Sequence, residues 1–160
     1  MKSRICLCLS VLATALSGCA VKATRLGDHM DHKNPVMLEV QQASAKGFTP
    51  TYGSNGAMYY YRFSGGDDKH GNVSVTTNEG GDVHIHVILT SNGFDLDHIE
   101  ITDDDDGQLT LPAPRSGKNV VIKNAHLEKT HLDAYFLVVV TDTGQSPPVT
   151  INCDPRIINN

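Results

Sequence analysis

Period-two alternation of apolar and polar residues recurs along the chain from Val36 onward, and it predicts strands. Val83 to Thr90, VHIHVILT, sets Val83, Ile85, Val87 and Leu89 on one face and His84 and His86 on the other. Asn72 to Thr77 alternates Val73 and Val75 with Ser74 and Thr76. Ala57 to Phe63, AMYYYRF, places Ala57, Tyr59, Tyr61 and Phe63 on one side and Met58, Tyr60 and Arg62 on the other. Val36 to Gln41 and Phe94 to Thr102 read as further strands, with short apolar pieces at Leu109–Leu111, Val120–Ile122, Val149–Ile151 and Ile157–Ile158. Ala134 to Thr141, AYFLVVVT, is the most hydrophobic run and is expected at the centre, with Phe136, Val138 and Val140 in the core. β-Branched and aromatic residues dominate these runs because they pack well on a pleated, half-buried surface.

Gly53-Ser54-Asn55-Gly56, Gly65-Gly66-Asp67-Asp68, Asn78-Glu79-Gly80-Gly81 and Ser91-Asn92-Gly93 punctuate the runs as turns. No helix of ten residues is predicted, and Lys123 to Asp133 has room for one or two turns at most. Short strands separated by such turns give an all-β fold: a mostly antiparallel β-sandwich, immunoglobulin-like in layout, over residues 36–160.

The N-terminus follows a different pattern. Lys2 and Arg4 precede an apolar run from Ile5 to Leu16, too short to span a bilayer comfortably. Leu16-Ser17-Gly18-Cys19 follows. These residues resemble the lipobox of bacterial lipoprotein precursors. The resemblance covers residues 1–19 and implies cleavage before Cys19, with a lipid on its thiol. Residue 20 is Ala and not the Asp that retains such proteins in the inner membrane, so the resemblance implies an outer-membrane lipoprotein facing the periplasm. Residues 1–18 are then the signal peptide. Residues 19–35 are the lipidated end and a polar tether, in which Asp28-His29 and Asp31-His32 stand out.

Composition sharpens this reading. The chain has 160 residues, 13 Lys+Arg, 18 Asp+Glu and 8 His, for a formal net charge of -5. Loss of Lys2 and Arg4 with the signal peptide takes that charge from -5 to -7. An acidic chain lacks the basic footprint of a nucleic-acid binder. Cys6 and Cys8 leave with the signal and Cys19 is taken by lipid, so Cys153 is the one thiol remaining. The domain must then hold together by packing, although an exported protein is permitted disulfides.

Four groupings carry candidate chemistry. Asp95, Asp97, Glu100, Asp103, Asp104, Asp105 and Asp106 form an acidic stretch, and Asp103 to Asp106 can offer calcium several oxygens. The spacing does not fit an EF-hand, and the simpler reading is a solvated acidic loop. His84 and His86 share a strand face, and a hairpin turning at Asn92-Gly93 brings His98 opposite them as a zinc or copper site. Without that register they are solvent-facing histidines. Cys153 beside Asp154-Pro155 has no local activating base and reads as structural. Tyr60 and Arg62 share a face of their strand and suit recognition, unless a second layer covers them.

No nucleophile elbow, metalloprotease motif, phosphate loop or CxxC occurs in residues 19–160. The expectation is a non-enzymatic recognition or structural assembly module of the cell envelope, with no cofactor. It is held at the membrane by its N-terminal lipid and meets an envelope protein partner. The alternative is a divalent-metal-binding envelope protein. Mass analysis of membrane-extracted protein should show loss of residues 1–18 and added acyl mass on Cys19. Replacing Cys19 by Ser should release a folded domain; membrane retention of that variant contradicts the lipid assignment.

Overall fold

The alternating rows become two facing sheets over one core. The computed structural model describes residues 30–75, 82–103, 107, 109–111, 117–125, 133–154 and 156–159. Among them are β1 (Met30–Asp31), β2 (Val36–Gln41), β3 (Thr49–Tyr52), β4 (Met58–Gly65), β5 (Val73–Val75) and β6 (Val83–Leu89). They continue with β7 (Phe94–Asp103), β8 (Leu109–Thr110), β9 (Asn119–Asn124), β10 (Asp133–Asp142), β11 (Val149–Cys153) and β12 (Arg156–Asn159). No helix occurs among the described residues. The signal peptide, Cys19, the turn at Asn78–Gly81, most of the Lys123–Asp133 stretch and Asp104, Asp105 and Asp106 lie outside the described residues.

The first sheet runs β3-β4-β2-β6-β9-β8. β1 lies on the same flank of β6 as β2, pairing Met30 with Val83 and Asp31 with His84 before β2 takes over at Val87. Met30 and Asp31, which the sequence pattern places near the end of the tether, are therefore part of this sheet, and residues 32–35 connect them to β2. The backbone bond from His32 N–H to His84 O (2.7 Å) continues the pairing beyond β1. Two residues are too few to display a period, which is why β1 leaves no trace in the pattern. β3 is also absent from it, because TPTY contains a proline and is exposed at three of its four positions. Proline is tolerated there because β3 is an edge strand.

The second sheet is built on β10, which pairs with β7 along one flank and with β11 and then β12 along the other; β5 adds beyond β12. Pairing is antiparallel throughout except for β1 and β2 with β6 and for β12 with β5. β10 is thus the central strand its composition predicts. Two register shifts in β7 leave Asp97 and Thr102 as extra residues opposite β10. The first bulge restarts the alternation, so Leu96 and Ile99 both face the core while Asp97 and His98 are consecutive outward residues.

The inner faces meet in a single apolar cluster. The first sheet gives Val36, Leu38, Val40, Tyr59, Phe63, Val83, Ile85, Val87, Leu89 and Ile122. The second gives Val73, Val75, Leu96, Ile99, Phe136, Val138, Val140, Val149, Ile151 and Cys153. The sheets are also stitched at two isolated bridges, Gly53 to Ile151 and Leu96 to Gly117. At the first, the backbones must approach closely: a Cβ on Gly53 would lie 2.6 Å from Val149 Cγ1 and 2.7 Å from Tyr59 Cε2.

Two substitutions test this packing. Truncating Val138, fully buried, to Ala should cost about 1–3 kcal/mol through lost transfer energy and a residual cavity. Gly53→Ala should cost about 1–3 kcal/mol through overpacking. Denaturant midpoints within error of wild type for both variants would contradict the assigned core.

Candidate functional site

The outer face of the β3–β4 hairpin carries the aromatic and basic side chains the sequence singles out. Strand alternation buries Tyr59 and Phe63 and turns Met58, Tyr60 and Arg62 outward. β3 pairs Pro50 with Tyr60 and Tyr52 with Met58. Tyr60 is half-buried, whereas Tyr52 is 67% and Met58 39% exposed, so the tip of the hairpin shows an apolar pair to solvent. Arg62 pairs with Glu39 on β2 (Nη2 to Oε2, 2.6 Å) and lies 4.6 Å from the centre of the Phe48 ring. Two partners fix the guanidinium, while its exposure keeps the net energy of the ion pair small.

Beyond Tyr61 the hairpin opens. β3 stops pairing at Thr49–Tyr61, and residues 62–65 of β4 retain only β2 as neighbour. An open cavity of about 440 Å³ lies here, with Tyr61, Arg62, Ser64, Lys69, His70 and Asp154 in its walls. Burial lifts the Tyr61 phenol above its ordinary value, opposed by a hydrogen bond with the Asp154 backbone.

The loop carrying Lys69 and His70 is organised by two aspartates. Asp68 Oδ1 accepts the N–H groups of His70 (2.8 Å) and Asn72 (3.2 Å), and Oδ2 accepts the Asn72 amide (2.5 Å). Desolvation works to raise the Asp68 carboxyl, yet the hydrogen bonds from His70 and Asn72 outweigh it and hold the group below its ordinary value. Asp67 accepts the Ser74 N–H (2.7 Å) and the Asn34 side-chain amide (3.2 Å), and lies 3.2 Å from His32 Nε2. Gly71 closes the loop at φ +88°, where a Cβ would stand 2.5 Å from that of Phe63.

The histidines are distributed differently from the hairpin expectation. His84 and His86 face outward from β6 in the first sheet, but β7 belongs to the second. The chain crosses between the sheets at Thr90–Gly93 instead of folding back, so His98 lies on the opposite outer face and does not complete a three-histidine site. Asp31 is the group beside the pair: its Oδ1 is 3.8 Å from His84 Nδ1 and 3.4 Å from His86 Nε2. Among the described residues no three His, Cys, Asp or Glu side chains are arranged to hold a metal ion. Asp103 ends β7 with its backbone opposite Tyr135.

His98 has acquired a different environment. The bulge at Asp97 lets its two ring nitrogens meet Asp97 Oδ2 (3.1 Å) and Glu100 Oε1 (3.0 Å). The Glu100 hydrogen bond raises its pKa most; desolvation opposes this and Asp97 reinforces it. Cys153 is fully buried, and desolvation pushes its thiol well above the ordinary value, opposite to what a nucleophile needs.

Sequence patterning misses Asp142, a buried carboxylate at the end of β10. It receives the Tyr59 hydroxyl (3.1 Å) and Gln42 amide (2.8 Å) at Oδ2, and the Gly144 N–H (2.9 Å) at Oδ1. Its signal was its phase with Phe136, Val138 and Val140. The chain matches no known protein-family profile and no curated protein sequence.

The His98 clamp predicts a pH dependence. Because its folded pKa is raised, its contribution is fully present below about pH 6.5, the ordinary imidazole value, and fades as pH rises through the folded value. Titration by NMR should place His98 above that value, and His98→Gln should flatten this part of the stability profile. A His98 resonance titrating at or below it contradicts the clamp.

Proposed function

We propose that the protein is a non-enzymatic recognition or assembly module of the bacterial cell envelope. In this reading it is an outer-membrane lipoprotein held by lipid on Cys19, with an immunoglobulin-like β-sandwich in the periplasm. It binds an envelope protein partner through the outer face of β3 and β4. The observation that carries the reading is the exposure of Tyr52 and Met58 directly opposite one another at the hairpin tip. Tyr60 and Arg62 continue that face, giving large side chains of the kinds that contribute most on desolvation in an interface. The Glu39 and Phe48 contacts hold Arg62 in place before a partner arrives, which lowers the ordering cost of binding.

Affinity capture from solubilised envelope, using tagged full-length protein, tests this reading. Tyr52→Ala should change stability by no more than about 0.5 kcal/mol, as expected of a surface position. Tyr60→Ala, which loses a cross-strand pair, should cost about 0.2–1 kcal/mol. Both should sharply reduce capture of the same partner, whereas Thr110→Ala, at the far edge of the first sheet, should not. Undiminished capture by both tyrosine variants overturns the assignment of this face.

A further inference from the structure

The Lys69 loop has features that sheet packing does not require. Lys69 is the one non-glycine residue with positive φ among the described residues, at 67°. A side chain in that region is strained, and such residues persist where the surrounding structure dictates the conformation. Here the Asp68 hydrogen bonds to His70 and Asn72 dictate it, with Gly66 and Gly71 also at positive φ on either side. The strained residue bears a charge, stands in a cavity wall, and forms no ion pair among the described residues. His70 adjoins it, and Arg62 enters the same wall already oriented by Glu39 and Phe48.

We propose that this cavity binds the oxyanion group, carboxylate or phosphate, of a small ligand, with Lys69 as the principal charge and His70 and Arg62 as further donors. Among the described residues Asp154 is the one acid in the wall, and the Arg62 charge is already offset by Glu39, so Lys69 carries the one cationic charge there without an ion-pair partner. One unpaired ammonium suits a single anionic group better than a polyanion. Tyr61 and Ser64 also line the cavity, and its volume of about 440 Å³ is of small-molecule size, leaving room for the rest of the ligand. Lysine supplies a point charge with rotatable donors, which accommodates either oxyanion geometry. The site adjoins the recognition face through Arg62 but does not depend on it, since Tyr52 and Met58 lie at the other end of β4.

The test titrates the full chain in detergent with inorganic phosphate and with acetate, against chloride at equal ionic strength, following the Lys69 and His70 NMR signals. The expected result is a saturable shift with phosphate, acetate or both that chloride does not reproduce. A phosphate-only response assigns the group as phosphate, and an acetate-only response as carboxylate. Lys69→Gly removes the charge and relieves the backbone, so it should fold at least as stably as wild type while weakening binding about tenfold or more. Lys69→Arg should stay within about threefold of wild type, because the charge is kept. Tyr52→Ala should bind the oxyanion as wild type does, even where it loses its protein partner. Equal shifts with chloride, unchanged affinity in Lys69→Gly, or loss of oxyanion binding in Tyr52→Ala overturns the proposal.

Discussion

The inward row of β10 is the contact on which the two sheets depend. Phe136, Val138 and Val140 are completely excluded from solvent, and Asp142 continues their row to the end of the sandwich. The cysteine on the adjoining strand, Cys153, is free and buried, so a disulfide takes no part in holding these strands. Apolar burial supplies most of the attraction, and it is indifferent to exact register. Asp142 supplies the direction. A buried carboxylate is costly unless its oxygens are satisfied, and its partners come from Tyr59 on β4, Gln42 after β2 and Gly144 after β10. Burial and the Asp142 bond both raise the Tyr59 phenol, keeping it a neutral donor. Sliding one sheet over the other would break this set, while the apolar rows alone would tolerate the move.

That seam also explains the two isolated bridges. With the inner faces in contact, Gly53 comes against Ile151 on one side and Leu96 against Gly117 on the other, each pairing backbone groups across the junction. Around the first, Ser54 N–H donates to Thr150 O (2.9 Å) and the Thr51 hydroxyl to Asn152 O (3.2 Å). Part of the free edge of β3 is therefore occupied by the second sheet, which limits its use as a template for another chain. Only glycine fits the tightest point of that junction, because any Cβ at position 53 meets Val149 and Tyr59.

The strands and their buried faces were legible because alternation reports burial directly: Val83, Ile85, Val87, Phe136, Val138 and Val140 all lie in the core they predict. The assignment of strands to sheets was not legible. Asn92-Gly93 has the chemistry of a tight turn, with Gly93 at φ +77°, yet its neighbours direct the chain across the sandwich. Lys118 donates its ammonium to Ser91 O (2.6 Å) and to Phe94 O, and Thr143 N–H donates to Gly93 O (3.0 Å). Those partners are 24 or more residues away, beyond the range of a turn rule. The bulge at Asp97 is likewise imposed by the β10 register, and it creates the His98 clamp where alternation expected a single outward residue. Tyr60 and Arg62 were found by phase alone. Lys69 was not, because a lysine in a Gly- and Asp-rich loop reads as solvated until its backbone and its cavity are visible.

The direction of the chain links the two proposed surfaces to the proposed membrane attachment. β1 leads into β2, and β2 begins beside the Lys69 loop: Gly65 pairs with Val36, Gly66 N–H donates to Pro35 O, and Asp67 contacts both His32 and Asn34. A tether in the proposed anchoring would therefore join the domain at Met30, at the cavity end of the first sheet. β4 runs away from this end in reverse, from Gly65 back to Met58, about 25 Å over its eight residues. Tyr52 and Met58 consequently stand at the opposite end of β4 from the point where the tether joins. In the proposed anchoring, a protein partner meets the exposed hairpin tip away from the tether's attachment, while a small anionic ligand uses the cavity beside it. Arg62, three residues from Gly65, is common to the two proposed surfaces, since it belongs to the outer face of the hairpin and to the cavity wall.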